Sequence, residues 1–473
     1  MSGEVNRKTV MFVAAVGSFL TPFMGSSVNI ALPEIQRAFG LDAVLLSWVQ
    51  TSFLLSAAVF MVPVGRLADI HGRKKAYLWG MALFTFCALV SGLAPNPAML
   101  LTARVIQGLG AAMIFVAGMA IVTSVFPPGE RGRAIGLNVA AVYVGLSLGP
   151  VLGGLLTQAW GWRWVFFGSV PLGLLTVILI RQRIRAEWAE AAGERFDLFG
   201  SVLYGSAIAL FMFGLTRLPA PTSFPLLGLG LAGLAWFTAW ELKVKSPVFE
   251  VSLFRRNRVF AFSSLAALIH YSATYAVVFL LSLYLQYIKG LSPEQAGLIL
   301  VTQPLVMALF SPLAGRLSDR YEPRLVASTG MALTALGLLF FTTLDGNTGK
   351  AFLVGNLALL GFGFAVFSSP NMNAIMSSVA KRFLGIASGT VATMRLLGQM
   401  TSMGVATVVF ALLIGRVEIT PGRYPLFLAS VKTAFLVFGL FCATGIMASL
   451  VRGRMPGGDD DGADRKTNKT STY

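Results

Sequence analysis

Charged residues are scarce in this chain of 473 residues. Asp, Glu, Lys and Arg make up 12% of the sequence, whereas apolar residues make up 56%. Soluble globular proteins contain about 25% charged residues, because their outer surface must interact with water. A chain so poor in charge cannot cover such a surface, so most of its exterior must face lipid. The composition excludes a soluble enzyme and predicts an integral membrane protein.

Cysteine and histidine are scarce too. The only two cysteines, Cys87 and Cys442, lie inside apolar runs, so no disulfide framework and no metal-ligand spacing is present. The sequence also lacks a nucleophile elbow, a phosphate-binding loop and a nucleotide site. We therefore expect neither catalysis nor a cofactor, and a secondary gradient would have to supply the energy for any transport.

The basic residues outnumber the acidic ones and give a net charge of +17. They do not form one basic face, because they occur in short clusters between apolar stretches. This pattern excludes a nucleic-acid-binding protein and is typical of the loops of a membrane protein.

Long apolar runs dominate the sequence. A bilayer core requires roughly 20 apolar residues per helix. Arg7 and Lys8 precede the first run, which is too long for a signal peptide and lacks a small-residue cleavage site, so we expect an uncleaved first span. The sequence predicts fourteen spans, at residues 9–32, 44–64, 76–94, 100–126, 134–157, 164–180, 198–216, 224–242, 259–287, 295–314, 324–343, 351–379, 386–414 and 426–450.

The loops between the predicted spans differ in charge. If successive spans alternate in direction, one side of the membrane holds most of the Lys and Arg residues, together with both termini. The other side holds only Arg37, Arg163, Arg217, Lys289, Lys350, Arg416 and Arg423. The positive-inside rule therefore predicts cytoplasmic termini in a multi-pass protein of the plasma membrane, which in bacteria is the inner membrane.

A short motif occurs twice at matching positions. Residues 65–75, after the second span, read GRLADIHGRKK, and residues 315–320, after the tenth, read GRLSDR. In transporters that consist of two parallel six-helix repeats, the substrate site lies between the two repeats, near the middle of the membrane. The predicted organisation is a six-helix bundle at 1–180, a linker with two inserted helices at 181–258, a second six-helix bundle at 259–451 and a disordered cytoplasmic tail at 452–473.

Further motifs follow in order along the chain. Residues 104–110 read RVIQGLG, residues 145–154 read GLSLGPVLGG, residues 162–167 read WRWVFF and residues 284–286 read YLQ. Together with residues 65–75, these motifs resemble the major facilitator superfamily, specifically its fourteen-spanner branch of drug:proton antiporters. The resemblance covers nearly the whole chain. It implies an all-α integral membrane fold of two six-helix bundles plus two inserted helices, a monomer, and the export of small molecules.

The first copy of the repeated motif places an acid among basic residues at a helix end. Asp69 can pair with Arg73 four residues later, or with a basic group on a neighbouring span. A solvated charge cluster that only sets the topology is the alternative. The resemblance implies a conformational latch on the cytoplasmic side, formed by Gly65, Arg66, Asp69, Gly72, Arg73 and Lys74, with Asp319 in the second copy.

The fifth span carries a glycine stripe. Gly145, Gly149 and Gly153 recur every four residues, so they share one helix face that another backbone can approach closely. Pro150 removes a backbone hydrogen bond and bends the helix. The resemblance implies that this stretch, with Gly154, is the antiporter motif, which is expected to seal the cytoplasmic route and to mark exporters. Ordinary helix packing is the alternative.

Two arginines are predicted to lie inside spans, where ionisable groups are costly and generally face a cavity or a partner. Arg104, close to Gln107, is predicted to face a cavity and, by the resemblance, to assist proton movement; snorkelling to the outer surface is the alternative. Arg395 lies about 15 Å into its span, at 1.5 Å per residue. It therefore needs an acceptor or an anionic ligand, or else a contact with helix-end carbonyl groups.

A histidine lies deep in the ninth span. His270 is followed by Tyr271 and Tyr275, which are one helical turn apart on what the inferred architecture makes a cavity-lining helix. A histidine at this depth can titrate near neutral pH, or it can be a neutral packing residue. Both interpretations stay open.

None of the twenty acidic residues lies well inside a predicted span. The branch usually has an aspartate in its first span, ahead of a stretch that matches residues 28–33 (VNIALP) and includes Asn29, but here Met24 takes the aspartate position. An embedded carboxylate carries protons and attracts lipophilic cations. Its absence favours a neutral or anionic amphiphilic substrate and leaves Glu34, Asp69 or His270 as the proton site.

The sequence therefore predicts a secondary active transporter that exports small amphiphilic or drug-like molecules by alternating access, with proton antiport as the expected coupling. Its expected partners are the substrate, protons and membrane lipid, and not nucleic acid. Two alternatives stay open. One is an importer or uniporter of the same fold, and the other is a membrane sensor or scaffold that transports nothing.

Overall fold

The computed structural model describes residues 6–218, 220–244, 247–379 and 384–451, and long α-helices make up most of them. The helices up to the middle of the chain are α1 (Arg7–Phe39), α2 (Ala43–His71), α3 (Arg73–Leu93), α4 (Pro97–Val125), α5 (Pro128–Trp160), α6 (Arg163–Phe167), α7 (Val170–Arg183), α8 (Leu198–Arg217) and α9 (Ser223–Glu241). The later helices are α10 (Ser252–Arg256), α11 (Arg258–Thr274), α12 (Ala276–Leu283), α13 (Pro293–Leu300), α14 (Thr302–Arg320), α15 (Pro323–Phe340), α16 (Lys350–Ser377), α17 (Leu384–Leu413) and α18 (Tyr424–Val451).

Fourteen stretches of the described chain are long and apolar enough to cross a membrane, which confirms the predicted number of spans. Three of them are interrupted helices. The sixth span combines α6 and α7, the ninth combines α11, α12 and a π-helical turn at Tyr284–Ile288, and the tenth combines α13 and α14. The π-helical turn interrupts the regular pattern of α-helical backbone hydrogen bonds within its span.

Polar side chains fix the starts of several helices. The first backbone N–H groups of a helix have no partner inside the helix, so a side-chain oxygen just before it stabilises the end. Asn6 accepts hydrogen bonds at the start of α1, Asp42 at the start of α2 and Asn96 at the start of α4. Ser292 and Gln295 form a reciprocal capping box at the start of α13.

The helices pack as two groups. The first group contains α1 to α7 and the second contains α11 to α18. The inserted helices α8 and α9 pack on each other, and α8 also contacts α2 of the first group and α17 of the second. The Tyr204 hydroxyl on α8 donates a hydrogen bond to the Ala58 carbonyl oxygen on α2, 3.1 Å away. The insert therefore covers one edge of the seam between the two groups.

An even number of spans places the start of α1 and the end of α18 on the same side of the membrane, here named the terminal side. The opposite side is named the far side. Two polar contacts join the groups on the far side: the Ser47 and Thr407 hydroxyls share a hydrogen bond of 2.8 Å, and the Ala43 backbone N–H donates to the Val417 carbonyl oxygen at 3.0 Å.

Candidate functional site: the seam between the two groups of helices

Helix α1 and the π-helical end of the ninth span form the centre of the far-side seam. The Ser282 hydroxyl donates to the backbone carbonyl of Asn29 at 2.7 Å, and the Gln286 side chain donates to the carbonyl of Ile30 at 3.0 Å. The described hydrogen bonds between the two groups all lie in this far-side half. The groups are thus held together at one end of the seam.

The glycine stripe of α5 packs against α1. A methyl group at Gly145 would lie 2.5 Å from the Phe19 carbonyl oxygen, and one at Gly153 would lie 2.8 Å from the Ser27 Cα. At Gly149, the backbone carbonyl accepts a hydrogen bond of 3.0 Å from the Ser27 hydroxyl. The stripe therefore holds α1 and α5 together as a close pair within the first group.

The end of this motif reaches the second group. A methyl group at Gly154 would lie 2.5 Å from the Pro293 carbonyl oxygen of α13. In return, a methyl group at Gly297 of α13 would lie 2.8 Å from the carbonyl carbon of Pro150. The seam is closed here by backbone against backbone, which only glycine permits at such a distance.

Arg104 is the centre of a fully buried polar network in the first group. Its guanidinium donates to the Val49 carbonyl at 3.0 Å and to the side-chain oxygens of Gln107 and Gln50, each at 2.7 Å. Gln50 in turn donates to the Asn29 side chain at 2.9 Å. The Arg104 side chain is 0% exposed, so it does not reach the membrane surface and is not open to a cavity in this state.

Arg395 on α17 has different surroundings. Its guanidinium carbon lies 5.0 Å from the centre of the Phe115 ring on α4, and its side chain is half-buried. It interacts electrostatically with Tyr271 on α11, which has Ser368 on α16 and Tyr143 on α5 as neighbours. These side chains come from both groups of helices, so they meet at the seam.

Two tyrosines of the ninth span, Tyr271 on α11 and Tyr275 between α11 and α12, connect the two arginines. Tyr271 faces Arg395, whereas Tyr275, one turn further towards the far side, interacts with Arg104. One turn of helix is about 5.4 Å. Four residues singled out in the sequence therefore follow one another along the seam. They are named the polar column here: Arg395, Tyr271, Tyr275 and Arg104.

His270 lies beside that column, with its ring centre 6.2 Å from that of Tyr271. Its ring stacks on Phe367 with centroids 4.0 Å apart and meets the edge of Phe364 at 4.9 Å. Its Nε2 is 3.4 Å from the Thr334 hydroxyl, whereas Nδ1 has no hydrogen-bond partner. The side chain is 0% exposed and packed inside the second group, which is the environment of a packing histidine.

Two candidate proton sites lie at opposite ends of the molecule. Glu34, near the far end of α1, is half-buried and accepts a hydrogen bond of 3.0 Å from the Trp162 backbone N–H, in the turn between α5 and α6. Asp69 lies at the terminal end of α2. Met24, which takes the place of the aspartate expected from the resemblance, is fully buried.

The ion pair between Asp69 and Arg73 is present at 2.7 Å, but Arg73 has further partners. Its guanidinium also donates to Glu190 at 2.6 Å and to the Ser124 hydroxyl of α4 at 2.7 Å. Gly65 lies against Val116 of α4, because a methyl group there would be 3.1 Å from the valine Cγ1. Arg73 therefore ties α2, α3 and α4 to the chain segment that follows α7.

That segment, residues 184–197, is named the linker here, and it docks on the predicted latch. The Glu187 carboxylate accepts hydrogen bonds from the backbone N–H groups of Lys74 at 2.8 Å and Lys75 at 3.2 Å, at the positive N-terminus of α3. Gly72 has a φ of +120°, and a methyl group there would meet the Glu187 carboxylate. Arg66 pairs with Glu194 of the same linker.

Sequence reasoning missed the residues that partner the predicted ones. The linker acids Glu187, Glu190 and Glu194 were visible as a cluster in a chain with few acids, but their docking depends on tertiary structure. Tyr143 and Ser368 carry no sequence signal beyond their polarity. The side chain of Asp319 lies outside the described residues. Within the described chain, no group of His, Cys, Asp or Glu residues could hold a metal ion.

Comparisons with known proteins agree with this architecture. The family model of the Major Facilitator Superfamily matches residues 14–268 and 263–471. The chain is 33% identical over 415 residues to "Multidrug resistance protein Stp" of Mycobacterium tuberculosis (strain CDC 1551 / Oshkosh), a match that covers 86% of this chain and 77% of that protein. It is 29% identical over 389 residues to "Riboflavin transporter RibZ" of Clostridioides difficile (strain 630), covering 82% and 84%.

A solved structure shares the fold. The crystal structure of a mutant of the peptide transporter POT in complex with alafosfalin superposes with a TM-score of 0.69 at 16% sequence identity, and the match covers 96% of each chain. This likeness concerns the fold, while the sequence matches establish the family. The chain belongs to the major facilitator superfamily and is a multi-pass membrane transporter, not an enzyme.

Proposed function

We propose that this protein exports small amphiphilic or drug-like molecules in exchange for protons, by alternating access between the two groups of helices. The proposal rests on where the two groups are joined, because the described hydrogen bonds between them lie on the far side. Two groups joined at that end are free to part at the terminal side, which the positive-inside rule predicts to be cytoplasmic. An exporter loads its substrate from a state of this kind.

The antiporter motif, which the resemblance makes the seal of the cytoplasmic route, touches the second group on the far side. Its stripe packs α5 on α1 inside the first group, while Gly154 touches Pro293 of the second group. Closing the far side therefore depends on the same helix that forms the tight α1–α5 pair. The relative named as a multidrug resistance protein agrees with export of drug-like molecules.

Glu34 is the proton acceptor that we propose on the far side. It is a half-buried carboxylate at the far end of α1, and its hydrogen bond to the Trp162 backbone links it to the end of α5. Protonation weakens the acceptor strength of a carboxylate, so proton binding would loosen this contact next to the seam. A proton would bind Glu34 while the far side is open and, for antiport, would have to leave towards the terminal side once the far side has closed.

Proton release from proteoliposomes tests this function. The purified protein is reconstituted with a pH-sensitive dye inside, and cationic, neutral and anionic aromatic compounds are added in turn. We expect substrate-dependent proton movement that Glu34→Gln abolishes and that Glu418→Gln, which changes an exposed far-side carboxylate, leaves intact. Transport without proton movement would replace the antiporter with a uniporter, and no transport of any compound would favour a sensor or scaffold.

A further inference from the structure

The two arginines within the spans differ in what satisfies their charge. Arg104 donates to three oxygen atoms, lies 4.3 Å below the Phe53 ring and is 0% exposed. Arg395 is half-buried and has the Phe115 ring on one side, and no carboxylate pairs with it in the described part of the chain. A guanidinium inside a membrane protein is costly without an acceptor. Arg395 is therefore the embedded charge that still requires a counter-charge.

The groups around Arg395 suit a ligand. Tyr271 and Tyr143 present hydroxyl groups from α11 and α5, and Ser368 presents one from α16. All three residues are half-buried, as are Arg395 and Phe115, so protein does not enclose any of them completely in this state. Hydroxyl groups can donate hydrogen bonds to an oxyanion beside the guanidinium.

Close helix packing fixes the position of this cluster. On α17, one turn from Arg395, a methyl group at Gly398 would lie 2.6 Å from the Leu268 carbonyl oxygen and 2.7 Å from the Tyr271 Cβ. Helices α11 and α17 therefore approach backbone to backbone, and Arg395 is held against Tyr271. Phe115 and Tyr143 belong to the other group of helices, so the cluster changes shape whenever the two groups move.

We propose that Arg395 binds the carboxylate of an amphiphilic organic anion, with Tyr271, Tyr143 and Ser368 donating hydrogen bonds to the same group and Phe115 packing on the apolar body. The planar guanidinium matches a carboxylate with two parallel hydrogen bonds. The same positive charge repels a cationic ligand at this place. This assignment rests on the proposed transport function, of which it names the substrate class.

Binding to the purified protein in detergent tests the site separately from transport. The probes share one aromatic body: naphthalene-1-acetate, its methyl ester, and a naphthylmethyl trimethylammonium salt. We expect the wild-type protein to bind the carboxylate at least tenfold more tightly than the ester and to bind the ammonium salt most weakly. Because this comparison needs no variant, it remains decisive even if changes at Arg395 impair folding. Equal affinity for the carboxylate and the ester would overturn the proposal.

The variants then assign the effect to one residue. Hydrogen bonds to charged groups are each strong enough that Arg395→Gln should weaken carboxylate binding about 10- to 100-fold while leaving ester binding unchanged. Arg395→Lys should retain part of the affinity, since it keeps the charge without the planar fork. Lys432→Gln, which removes a half-buried cation from α18, is the matched control and should bind like the wild type. If Lys432→Gln and Arg395→Gln lose the same carboxylate affinity, the effect comes from net charge alone, and the proposed site is contradicted.

Proteoliposome transport separates this proposal from the proposed function. If the carboxylate binds through Arg395 but no probe crosses the membrane, the anion site stands and the transport function fails. If the ester or the ammonium salt is transported as well as the carboxylate, and Arg395→Gln changes none of the rates, transport stands and the anion site fails.

Discussion

The contact between Gly154 and α13 allows a direct test of how the two groups of helices move. In Gly154→Ala, the new methyl group would lie 2.5 Å from the Pro293 carbonyl oxygen and 3.0 Å from the Glu294 Cα. Both atoms belong to the backbone of the other group, so no side chain can rotate away to relieve the clash. Overpacking of this kind costs about 1–3 kcal/mol.

This cost applies to the far-side-closed state alone, because the two backbones separate when the far side opens. A difference of about 1–3 kcal/mol changes the ratio of the two states about 5- to 150-fold. Gly153→Ala is the matched control. Its methyl group would lie 2.8 Å from the Ser27 Cα of α1, in the same group, so it should lower thermal stability without changing the ratio.

Electron–electron distance measurements can report the ratio. Spin labels at Ala98 on α4 and Lys350 on α16 are exposed on the far side, one in each group, and the two native cysteines are buried. We expect Gly154→Ala to move the distribution towards longer distances, and Gly153→Ala to leave it as in the wild type. Identical distributions in all three proteins would refute the assignment of Gly154 to far-side closure.

Three further predictions concern the buried network, the histidine and the linker. Arg104→Gln should destabilise the protein by about 3 kcal/mol, because it leaves buried acceptors without a partner, and thermal unfolding in detergent checks this. His270→Gln should leave the pH profile of proteoliposome transport unchanged, because this side chain is packed against Phe364 and Phe367 and is 0% exposed; a lost pH dependence would contradict that placement. Glu190→Gln removes a largely exposed partner of Arg73, so we expect less than about 1 kcal/mol in stability but several-fold faster tryptic cleavage of the linker.

The span count and the glycine stripe could be predicted because both depend on local sequence. A run of about 20 apolar residues is enough to identify a span, and a four-residue repeat is enough to place three glycines on one face. The pairing of Asp69 with Arg73 belongs to the same class, since residues four apart on a helix are neighbours. Breaks within spans, such as the π-helical turn at Tyr284–Ile288, have no comparable local signal.

The partners of the site residues depend on long-range packing. The contact of Gly154 with Pro293 and that of Arg395 with Phe115 join segments far apart in the chain, and no spacing rule relates them. The predicted depth of the two arginines in the membrane does not distinguish their roles either. Arg104 and Arg395 both lie inside spans, and only their neighbours show that the first donates to carbonyl oxygens whereas the second lies against the Phe115 ring.

The direction of coupled transport decides whether this protein is a proton-driven exporter. Everted vesicles from cells that express the chain are energised to acidify their interior, and accumulation of labelled naphthalene-1-acetate is compared with vesicles that lack the chain. We expect chain-dependent accumulation that a protonophore abolishes. Accumulation that survives the protonophore, or chain-dependent loss of the compound from preloaded everted vesicles, would contradict proton-driven export.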